Sequence, residues 1–495
     1  MNSCAPENWV LNWQTKLHEW AWNDKRLKFH DLYNLVYDTR TLLVAWQEIR
    51  SNRGSKTAGV DGVTRYHVES RVGTQEFLEQ IHLELKTQTY RPSNVRQKGI
   101  PKKNGKMRYL GIPTLKDRVV QQALRMVMEP IFEADFYESS YAYRPGRRTQ
   151  DAIAEIHHFT KPHAGYSWII EGDIKGCFDH VDHEILIREI RKRIKDNKII
   201  RLCRRFLKTG VVTELGAVKP TITGTPQGGI ISPLFANIYL TILDRHFDEI
   251  WKRMYPSRQY WRSKGYATYR MVRFADDFVV MVKGTKEHAE EIKQQTAEFI
   301  SQELKMELSL EKTMVTHISE GFAFLGHRIQ LMPDRSGKPV VYTLPTKESL
   351  MRVKEKIKRI TSRGTIPMNL KHILGQINPI LRGWSNYYRY DAAKHTLAYL
   401  DAYTWRRVYR WMRKKYAKMP VKKLKRTKFP DWCFREGGTE LFRPAKVKVE
   451  RYRFRGSNIP NRWNQRIMES RTKNRYIFPY NENRMLESLS DYLSF

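Results

Sequence analysis

Residues 271–282 read MVRFADDFVVMV, two apolar runs that flank a pair of acids, Asp276 and Asp277. Apolar runs on both sides of a two-residue polar stretch predict two strands joined by a tight turn. The pair alone is weak support for a function, because adjacent aspartates most often occupy a solvated turn. Its meaning depends on the segments around it.

A third acid follows a similar apolar run earlier in the chain. Residues 167–170 (SWII) predict a short strand, and Asp173 follows it. Asp173 alone could equally be a helix-entry residue, and we expect a helix to begin near Asp182, a good N-cap. If the two strands are neighbours, Asp173 and Asp276 converge from rigid elements. Since successive strand residues point to opposite faces, Asp276 and Asp277 need not be equal partners.

Converging carboxylates suit metal-assisted phosphoryl transfer. Joining a nucleotide to a growing strand requires attack by a hydroxyl and departure of pyrophosphate, and two metal ions about 3.5–4 Å apart stabilise both oxygens. Magnesium prefers hard oxygen ligands and keeps several waters, so two or three carboxylates suffice. We expect Asp276 to be a direct ligand and Asp277 to be a supporting or transient one.

The charge balance indicates a polyanionic partner. The chain has 495 residues, with 89 Lys and Arg against 52 Asp and Glu, a net charge of +37. Such an excess carries a cost in self-repulsion, and basic residues gain affinity for nucleic acid by releasing condensed counterions. A membrane surface is the weaker alternative, because we find no spanning apolar stretch, signal peptide or lipidation motif. The length predicts several domains.

The cysteines are scattered. They are Cys4, Cys177, Cys203 and Cys433, with no CxxC pair among them. Neither a zinc knuckle nor a disulfide framework is therefore predicted. We expect a cytoplasmic protein of bacterial type with no membrane partner, associated with the nucleoid when it is bound to DNA.

Further patterns predict local elements around the acids. They are helices up to about residue 50, a hairpin over 100–112 (IPKKNGKMRYLGI), helices over 116–132 and 230–243, a turn at 224–229 (GTPQGG), and helices over 370–390 and 403–416. Residues 51–62 (SNRGSKTAGVDG) are either a flexible connection or a backbone clamp on phosphates. Residues 402–430 hold 12 Lys or Arg and no Asp or Glu.

Eight segments, taken in order, resemble the motifs of the reverse transcriptases encoded by group II introns. They are residues 51–62, IPKKNGKMRYLGIPTLKDRVVQQAL (100–124), YAYRPGRRTQDAI (141–153), EGDIKGCFDHVDHEIL (171–186), GTPQGGIISPLFANIYL (224–240), RFADDFVV (273–280), LSLEKT (308–313) and FAFLG (322–326). No single string decides the resemblance, but eight in order are specific. Phe274 stands where many members have Tyr.

The resemblance implies roles at the catalytic centre. Asp173 and Asp276 would hold two Mg²⁺ ions together with the carbonyl of Ile174, and Asp277 would complete the catalytic triad. The implied nucleotide-binding residues are Lys102 and Arg108 at the triphosphate, Phe178 as a steric gate against ribonucleotides, Arg144 and Gln227 in the pocket, and Lys312 near the metal site. A cation beside the triphosphate is sensible because charge builds up on the leaving group. The alternatives are a core Phe178, a turn role for Arg144 and a surface Lys312.

Residues 374–390 (LGQINPILRGWSNYYRY) resemble the maturase or thumb domain of the same family. We expect Trp384 to pack in the core. Tyr387 and Tyr388 could pack there too, or could stack on bases beside Arg382 and Arg389. The cations of 402–430, among them Lys422, Lys423 and Lys425, would grip the backbone of intron RNA or target DNA.

The implied fold is an α+β right-hand polymerase with fingers, an α/β palm and a helical thumb. We predict an N-terminal extension at 1–95, fingers and palm at 96–335, a thumb or maturase domain at 336–418, and a basic DNA-binding region at 419–495. Residues 441–463 resemble the stretch that precedes an HNH endonuclease in longer members. Because the paired CxxC motifs and the His cluster are missing after it, we expect no nuclease.

The implied activity is DNA synthesis from dNTPs on an RNA template with a DNA primer. A second implied role is binding of intron RNA to assist splicing and intron mobility. The alternatives are a splicing-only maturase with a vestigial polymerase, a host-adopted reverse transcriptase in defence or repair, and a DNA-templated polymerase. The three aspartates favour an enzyme, because a binding module has no reason to gather unpaired acids within a strongly basic surface.

Overall fold

The computed structural model describes residues 5–101, 105, 107–214, 216–219, 223–225, 228–309 and 311–464. Across these residues, no helix combines the length and the apolar character that a membrane span requires. Two of the predicted nucleotide-binding residues, Lys102 and Gln227, lie outside the described residues.

Helices and strands alternate along the chain. The α-helices are α1 (Pro6–Asn23), α2 (Tyr33–Tyr37), α3 (Thr39–Ser51), α4 (Arg65–His67), α5 (Thr74–Lys86), α6 (Leu115–Glu133), α7 (Thr149–Thr160), α8 (His183–Arg191), α9 (Asn197–Leu207), α10 (Ser232–Met254), α11 (Arg258–Ser263), α12 (Lys286–Leu304), α13 (Lys347–Ile360), α14 (Leu370–Tyr388), α15 (Lys394–Lys415) and α16 (Val421–Lys428). The strands are β1 (Val95–Pro101), β2 (Met107–Ile112), β3 (Trp168–Asp173), β4 (Val211–Val212), β5 (Val218–Lys219), β6 (Thr268–Phe274), β7 (Asp277–Lys283), β8 (Met314–His317), β9 (Phe322–Phe324), β10 (His327–Pro333), β11 (Pro339–Pro345), β12 (Arg435–Glu436) and β13 (Thr439–Glu440).

The predicted hairpin and helices are confirmed, whereas the predicted turn at 224–229 includes residues outside the described part of the chain. The hairpin over 100–112 is β1 and β2, paired antiparallel. The predicted helices correspond to α6, α10, α14 and α15, and Asp182 caps α8 by accepting hydrogen bonds from two backbone amides of its first turn. Side-chain capping of this kind satisfies amides that have no partner within the helix.

The Gly-rich loop at 51–62 is anchored to α6. The guanidinium of Arg118 donates to the carbonyls of Gly54 and Thr57. A Cβ added at Gly59 would lie 2.7 Å from the Cα of Thr114, so the backbones are in close contact there. The prediction of a flexible connection is therefore wrong, and a phosphate clamp remains a prediction.

The sheet that carries the acids has the order β6-β7-β3-β8, with every pair antiparallel. Its two faces lie in separate cores. Ile170 and Val280 pack into the core that contains α10 and α12, whereas Ile169 and Val279 pack against α7. Because both faces are covered, the central strand β7 is continuously apolar from Phe278 to Val282 rather than alternating.

The thumb is built from α13, α14, α15 and α16 around one core. Ile357, Leu381 and Trp411 share this core with Leu424 and Phe429 of the α16 region. The three-stranded sheet β11-β10-β9 lies between it and the palm. Packing therefore continues across the predicted boundary at residue 418, and the domain limits remain predictions.

A C-terminal strap, residues 447–464, runs from the thumb back over the palm to α1. Arg455 donates to both carboxylate oxygens of Asp151, at the start of α7. Further along, Trp463 is buried and its Nε1 donates to Oε1 of Gln14, 3.4 Å away. This part of the predicted DNA-binding region thus contacts protein along its length.

Candidate active site

Three acids meet at one end of the palm sheet. Asp173, the last residue of β3, lies opposite Asp277, the first residue of β7. Phe274 also pairs with Asp277, so Ala275 and Asp276 form a two-residue turn, with Ala275 in the left-handed region at φ 60°. The amide of Ile174 donates to the carbonyl of Asp276, 3.4 Å away. The structure therefore brings together the carboxylates that the sequence pattern predicted.

Negative charge is concentrated here. Burial, reinforced by the neighbouring Asp276 and Asp173, raises the pKa of Asp277 to about 7. Burial also raises the pKa of Asp276, and the charge of Asp173 adds to the effect while Arg108 and Lys312 oppose it. Carboxylates whose ionised forms are disfavoured by one another are stabilised by a cation placed between them, so the donor set fits a divalent metal.

Lys312 lies at this cluster. Its ammonium nitrogen is 2.8 Å from Oδ2 of Asp173, and this hydrogen bond raises the pKa of Lys312. Within the part of the chain that the structure describes, no group of three or more His, Cys, Asp or Glu side chains is arranged as a ready metal cluster. A cation bound by Asp173 would therefore compete with Lys312 for this carboxylate.

The raised pKa of Asp277 predicts that the stability of the metal-free protein depends on pH. An acid with a pKa raised by folding keeps its proton in the folded state at pH values where the unfolded state has lost it. The free energy of unfolding of the unaltered chain, compared with that of Asp277→Asn, should therefore fall as the pH rises from about 4 to about 7. Above about pH 7 the difference should level off. Thermal unfolding of both proteins in a chelator, at several pH values, measures this difference. A difference that stayed constant with pH would contradict it, and added Mg²⁺ should reduce the difference.

Two predicted nucleotide-site residues lie around the acids. Arg108, exposed on β2, is close enough to influence the pKa of Asp276 and of Tyr143. Phe178 is half-buried in the turn after β3, and its carbonyl accepts from the amide of Thr225 at 2.7 Å. The 224–229 segment thus begins directly beside Phe178. This placement is compatible with both the gate and the core alternatives.

Arg144 is not part of this site, which corrects the pocket prediction. Its guanidinium is buried against the Glu133 carboxylate, with the closest contact at 2.8 Å. The remaining donors reach the backbone carbonyls of Tyr137, Ser140 and Phe136. Every guanidinium donor therefore has a protein acceptor, and the residue holds the turn together.

Tyr143, next to Arg144, is the residue that the sequence reasoning missed. Its backbone adopts a left-handed conformation at φ 57°, and its side chain is 50% exposed. Burial and the charge of Asp276 raise its pKa. A non-glycine residue in this conformation carries local strain, which is common at functional sites. Only its place in the YAYRPGR motif could have indicated it.

A buried ion pair contacts the backbone of the turn that carries Asp276. Arg273, on β6, is fully buried and donates to both oxygens of Asp244 on α10, at 2.7 and 2.6 Å. It also donates to the carbonyl of Ala275, inside the turn, at 2.9 Å. The pair therefore fixes the backbone that presents Asp276.

Tyr387 and Tyr388 of the thumb are packing residues, which corrects their prediction as nucleic-acid-binding residues. Tyr388 is buried, with its hydroxyl on Ser349 and on the carbonyl of Gly326. Tyr387 is half-buried and donates to the carbonyl of Leu325. Both rings lie against His327. They attach α14 of the thumb to the β9–β10 turn.

The predicted cations of the thumb differ in availability. Arg389 pairs with Glu450 at 3.2 Å. Arg382 is exposed, with its guanidinium over the ring of Phe442. Lys422 and Lys423 are exposed on α16, and the half-buried Lys425 lies 4.1 Å from the centre of the Trp432 ring. Only part of the predicted set is thus free to meet a phosphate backbone.

Comparison with known proteins agrees with this architecture. Residues 100–329 match the family described as reverse transcriptase (RNA-dependent DNA polymerase). Residues 350–429 match the group II intron maturase-specific domain. The fold and these matches define a right-hand polymerase of the reverse transcriptase class.

Individual relatives narrow the assignment. The chain is 36% identical over 69% of its length to Escherichia coli protein YkfC, covering 93% of that protein. It is 34% identical over 73% of its length to the Lactococcus lactis group II intron-encoded protein LtrA, covering 70% of it. A solved Candida albicans telomerase aligns over 69% of this chain and 66% of its own, with 14% identity and a TM-score of 0.37. The chain belongs to the group II intron-encoded reverse transcriptases, which are RNA-directed DNA polymerases with a maturase domain.

Proposed function

We propose that the chain extends a DNA primer on an RNA template at the end of the palm sheet, with two Mg²⁺ ions held by Asp173, Asp276 and Asp277. The observation that supports this most directly is the register pair Asp173–Asp277 with Asp276 in the adjoining turn. Hard carboxylate oxygens are the ligands that Mg²⁺ prefers. When bound, the ions would stabilise charge on the attacking and leaving oxygens.

The residues around the acids have separate roles in this proposal. Asp173 and Asp276 bind the metal, helped by the carbonyl of Ile174, and Asp277 supports them. Arg108 would meet the triphosphate, where a fixed cation is most useful as charge develops. The same role for Lys102 rests on the family resemblance alone. Lys312 balances the charge of Asp173 before the substrate arrives. A role for Gln227 in nucleotide binding rests on the family resemblance alone.

Primer extension tests the enzymatic part. The unaltered chain, an RNA template annealed to a DNA primer, four dNTPs and Mg²⁺ should give extended DNA, and a chelator should stop the reaction. If no DNA is made while RNA is still bound, the splicing-only alternative replaces this proposal. Repeating the reaction on a DNA template measures how strongly the enzyme prefers RNA.

Phe178 gives a prediction about the choice of sugar. If its ring closes the space beside the nucleotide 2′ position, Phe178→Val should raise the efficiency of ribonucleotide incorporation relative to deoxynucleotides by about 10-fold or more, the scale of a steric change in a pocket. Single-nucleotide incorporation kinetics with dNTP and rNTP measure the ratio. An unchanged ratio with a lowered melting temperature would instead support the core role.

We propose that intron RNA, template–primer duplex and target DNA bind the basic surface of the thumb. The match of residues 350–429 to the maturase-specific domain and the exposure of Lys422 and Lys423 support this. Such binding releases counterions, so its strength falls linearly with the logarithm of salt concentration.

Neutralising two of these lysines should flatten the salt dependence. For Lys422→Ala/Lys423→Ala, the slope of log affinity against log salt for duplex DNA should become shallower by roughly 2, about 0.9 for each lost contact. Fluorescence anisotropy at several salt concentrations measures the slope. The matched control is Lys286→Ala/Lys293→Ala on α12. It removes the same number of positive charges, but from a helix that also carries several acids and is not expected to bind a phosphate backbone. An equal change in both double variants would show a non-local charge effect.

A further inference from the structure

The end of the palm sheet opposite the acids carries an exposed group of aromatic and basic side chains. We call it the palm-base surface and define it as Arg258, Tyr260, Arg262, Lys264 and Tyr266. It consists of α11 and the turn that follows, between α10 and β6. Tyr260 and Tyr266 are each 58% exposed, more than any other tyrosine among the large hydrophobic residues on the described surface.

The palm-base surface lies outside the catalytic cleft. Strand β6 begins two residues after Tyr266 and ends at Phe274, beside the catalytic turn. Thr268 pairs with Lys283 at one end of the hairpin, and Phe274 pairs with Asp277 at the other. Six residue steps of about 3.3 Å separate the two ends by about 20 Å. These side chains therefore cannot serve the reacting nucleotide.

The positive charge of this surface is not balanced. Among the described residues, no carboxylate forms an ion pair with Arg258, Arg262 or Lys264. Desolvation lowers the pKa of Lys283, and the charges of Arg262 and Arg258 lower it further. An anionic partner would relieve this crowding of cations.

The aromatic rings are held in place by their own cluster. Trp261 contacts Tyr260 and Tyr266 edge to face, with ring centres 5.8 and 5.6 Å apart. The amide of Tyr266 donates to the carbonyl of Trp261 at 3.1 Å. Two exposed rings fixed on a common support, with cations beside them, have the properties of a stacking platform for bases.

We propose that the palm-base surface binds unpaired nucleotides of a folded RNA, with bases stacked on Tyr260 and Tyr266 and phosphates beside Arg258, Arg262 and Lys264. Unpaired bases are required because a duplex hides their faces. The inference rests on the proposed affinity for RNA and adds a second contact, built from residues other than those of the catalytic cleft and of α16.

Photo-crosslinking with the cleft already filled tests the location. The full chain is first loaded with an RNA template–DNA primer hybrid ending in a dideoxynucleotide. A single-stranded 20-nucleotide oligo(U) that contains 4-thiouridine is then added and irradiated, and the crosslinked peptides are identified by mass spectrometry. Crosslinks within residues 255–267 are expected. Crosslinks confined to other segments would overturn the proposal.

Substitutions test the stacking. Tyr260→Ala/Tyr266→Ala should weaken binding of fluorescent oligo(U) to the loaded chain about 10-fold or more, the scale of lost base stacking. Tyr260→Phe/Tyr266→Phe keeps both rings and should stay within about twofold. Trp20→Ala is the matched control, because Trp20 is another exposed ring, 53% exposed on α1. Equal losses in the Ala and Phe variants, or no loss in either, would refute stacking.

Two further arms separate this inference from the proposed function. Primer extension should be unchanged in all of these variants, and it reports the polymerase independently of the palm-base surface. Oligo(U) should bind more tightly than a fully paired RNA duplex and than the corresponding single-stranded DNA. Tighter binding of duplex or of DNA would overturn the choice of unpaired RNA, even if the polymerase is active.

Discussion

Asp276→Asn is expected to lower the rate of primer extension by about 100-fold or more, the loss typical when a group that stabilises the transition state is removed. The substitution keeps the shape of the side chain and removes its charge. Asparagine is a much weaker ligand for Mg²⁺ than an ionised carboxylate, so the metal would be held poorly at the position where charge develops.

The same substitution should not weaken the fold. Burial and the neighbouring Asp173 raise the pKa of Asp276, which means that the folded state disfavours its ionised form. A neutral amide removes this penalty at neutral pH, so the melting temperature without metal should stay the same or rise. Differential scanning fluorimetry in a chelator, beside single-turnover primer extension, measures both effects.

The control is Glu290→Gln on α12, which removes an acid that is paired with Lys293 on the surface. Its primer extension should remain within about twofold of the unaltered chain, and binding of RNA should be retained by both variants. If Asp276→Asn lost activity only together with a large fall in melting temperature, Asp276 would be structural and the proposed metal site would be wrong.

Among the substitutions proposed for this chain, Asp244→Ala should lower the free energy of unfolding the most. Arg273 and Asp244 are both fully buried, with donor–acceptor distances of 2.6 and 2.7 Å. Removing the acid leaves the guanidinium buried without its partner, which typically costs about 3–5 kcal/mol. Urea unfolding, with the free energy extrapolated to water, measures the change.

The helix α10 also offers a matched comparison. Asp248→Ala breaks the Lys252–Asp248 ion pair on the exposed side of α10, where the lysine is 73% exposed. Surface pairs contribute about 0–1 kcal/mol, so the effect should be several times smaller. Arg273→Met/Asp244→Leu replaces both buried charges and should recover part of the lost stability. Equal effects of Asp244→Ala and Asp248→Ala would contradict the assigned burial cost.

The sequence predicted the catalytic hairpin because its signals are local. Apolar runs define the strands, and the adjacent acids Asp276 and Asp277 mark the turn between them. The pairing of β7 with β3 was predicted from the expectation that Asp173 and Asp276 bind the same metal ions. No local sequence pattern predicts this pairing. The resemblance to a family supplied the right-hand architecture that a single run of residues cannot specify.

Sequence patterns were least informative about cations and aromatic rings. Arg144 and Arg273 both lie in motifs, and each is buried against an acid on a helix elsewhere in the chain, Glu133 of α6 and Asp244 of α10 respectively. Whether a guanidinium meets a ligand or a buried carboxylate depends on the element packed opposite it. The same reason explains Tyr388, whose neighbours come from the β9–β10 turn and from α13. The roles of these three side chains are set by packing partners on other elements, which a local sequence pattern does not reveal.

The C-terminal strap also bears on how the chain is made. Trp463 packs against α1, with its ring 5.9 Å from that of His18 and its Nε1 donating to Gln14, 449 positions earlier. A ribosome adds roughly 5–20 residues per second, so α1 emerges roughly 20–90 s before the side chain that completes its surroundings. Contacts between such distant positions slow folding. The helix α1 therefore acquires its full set of native neighbours only after residue 463 has been made.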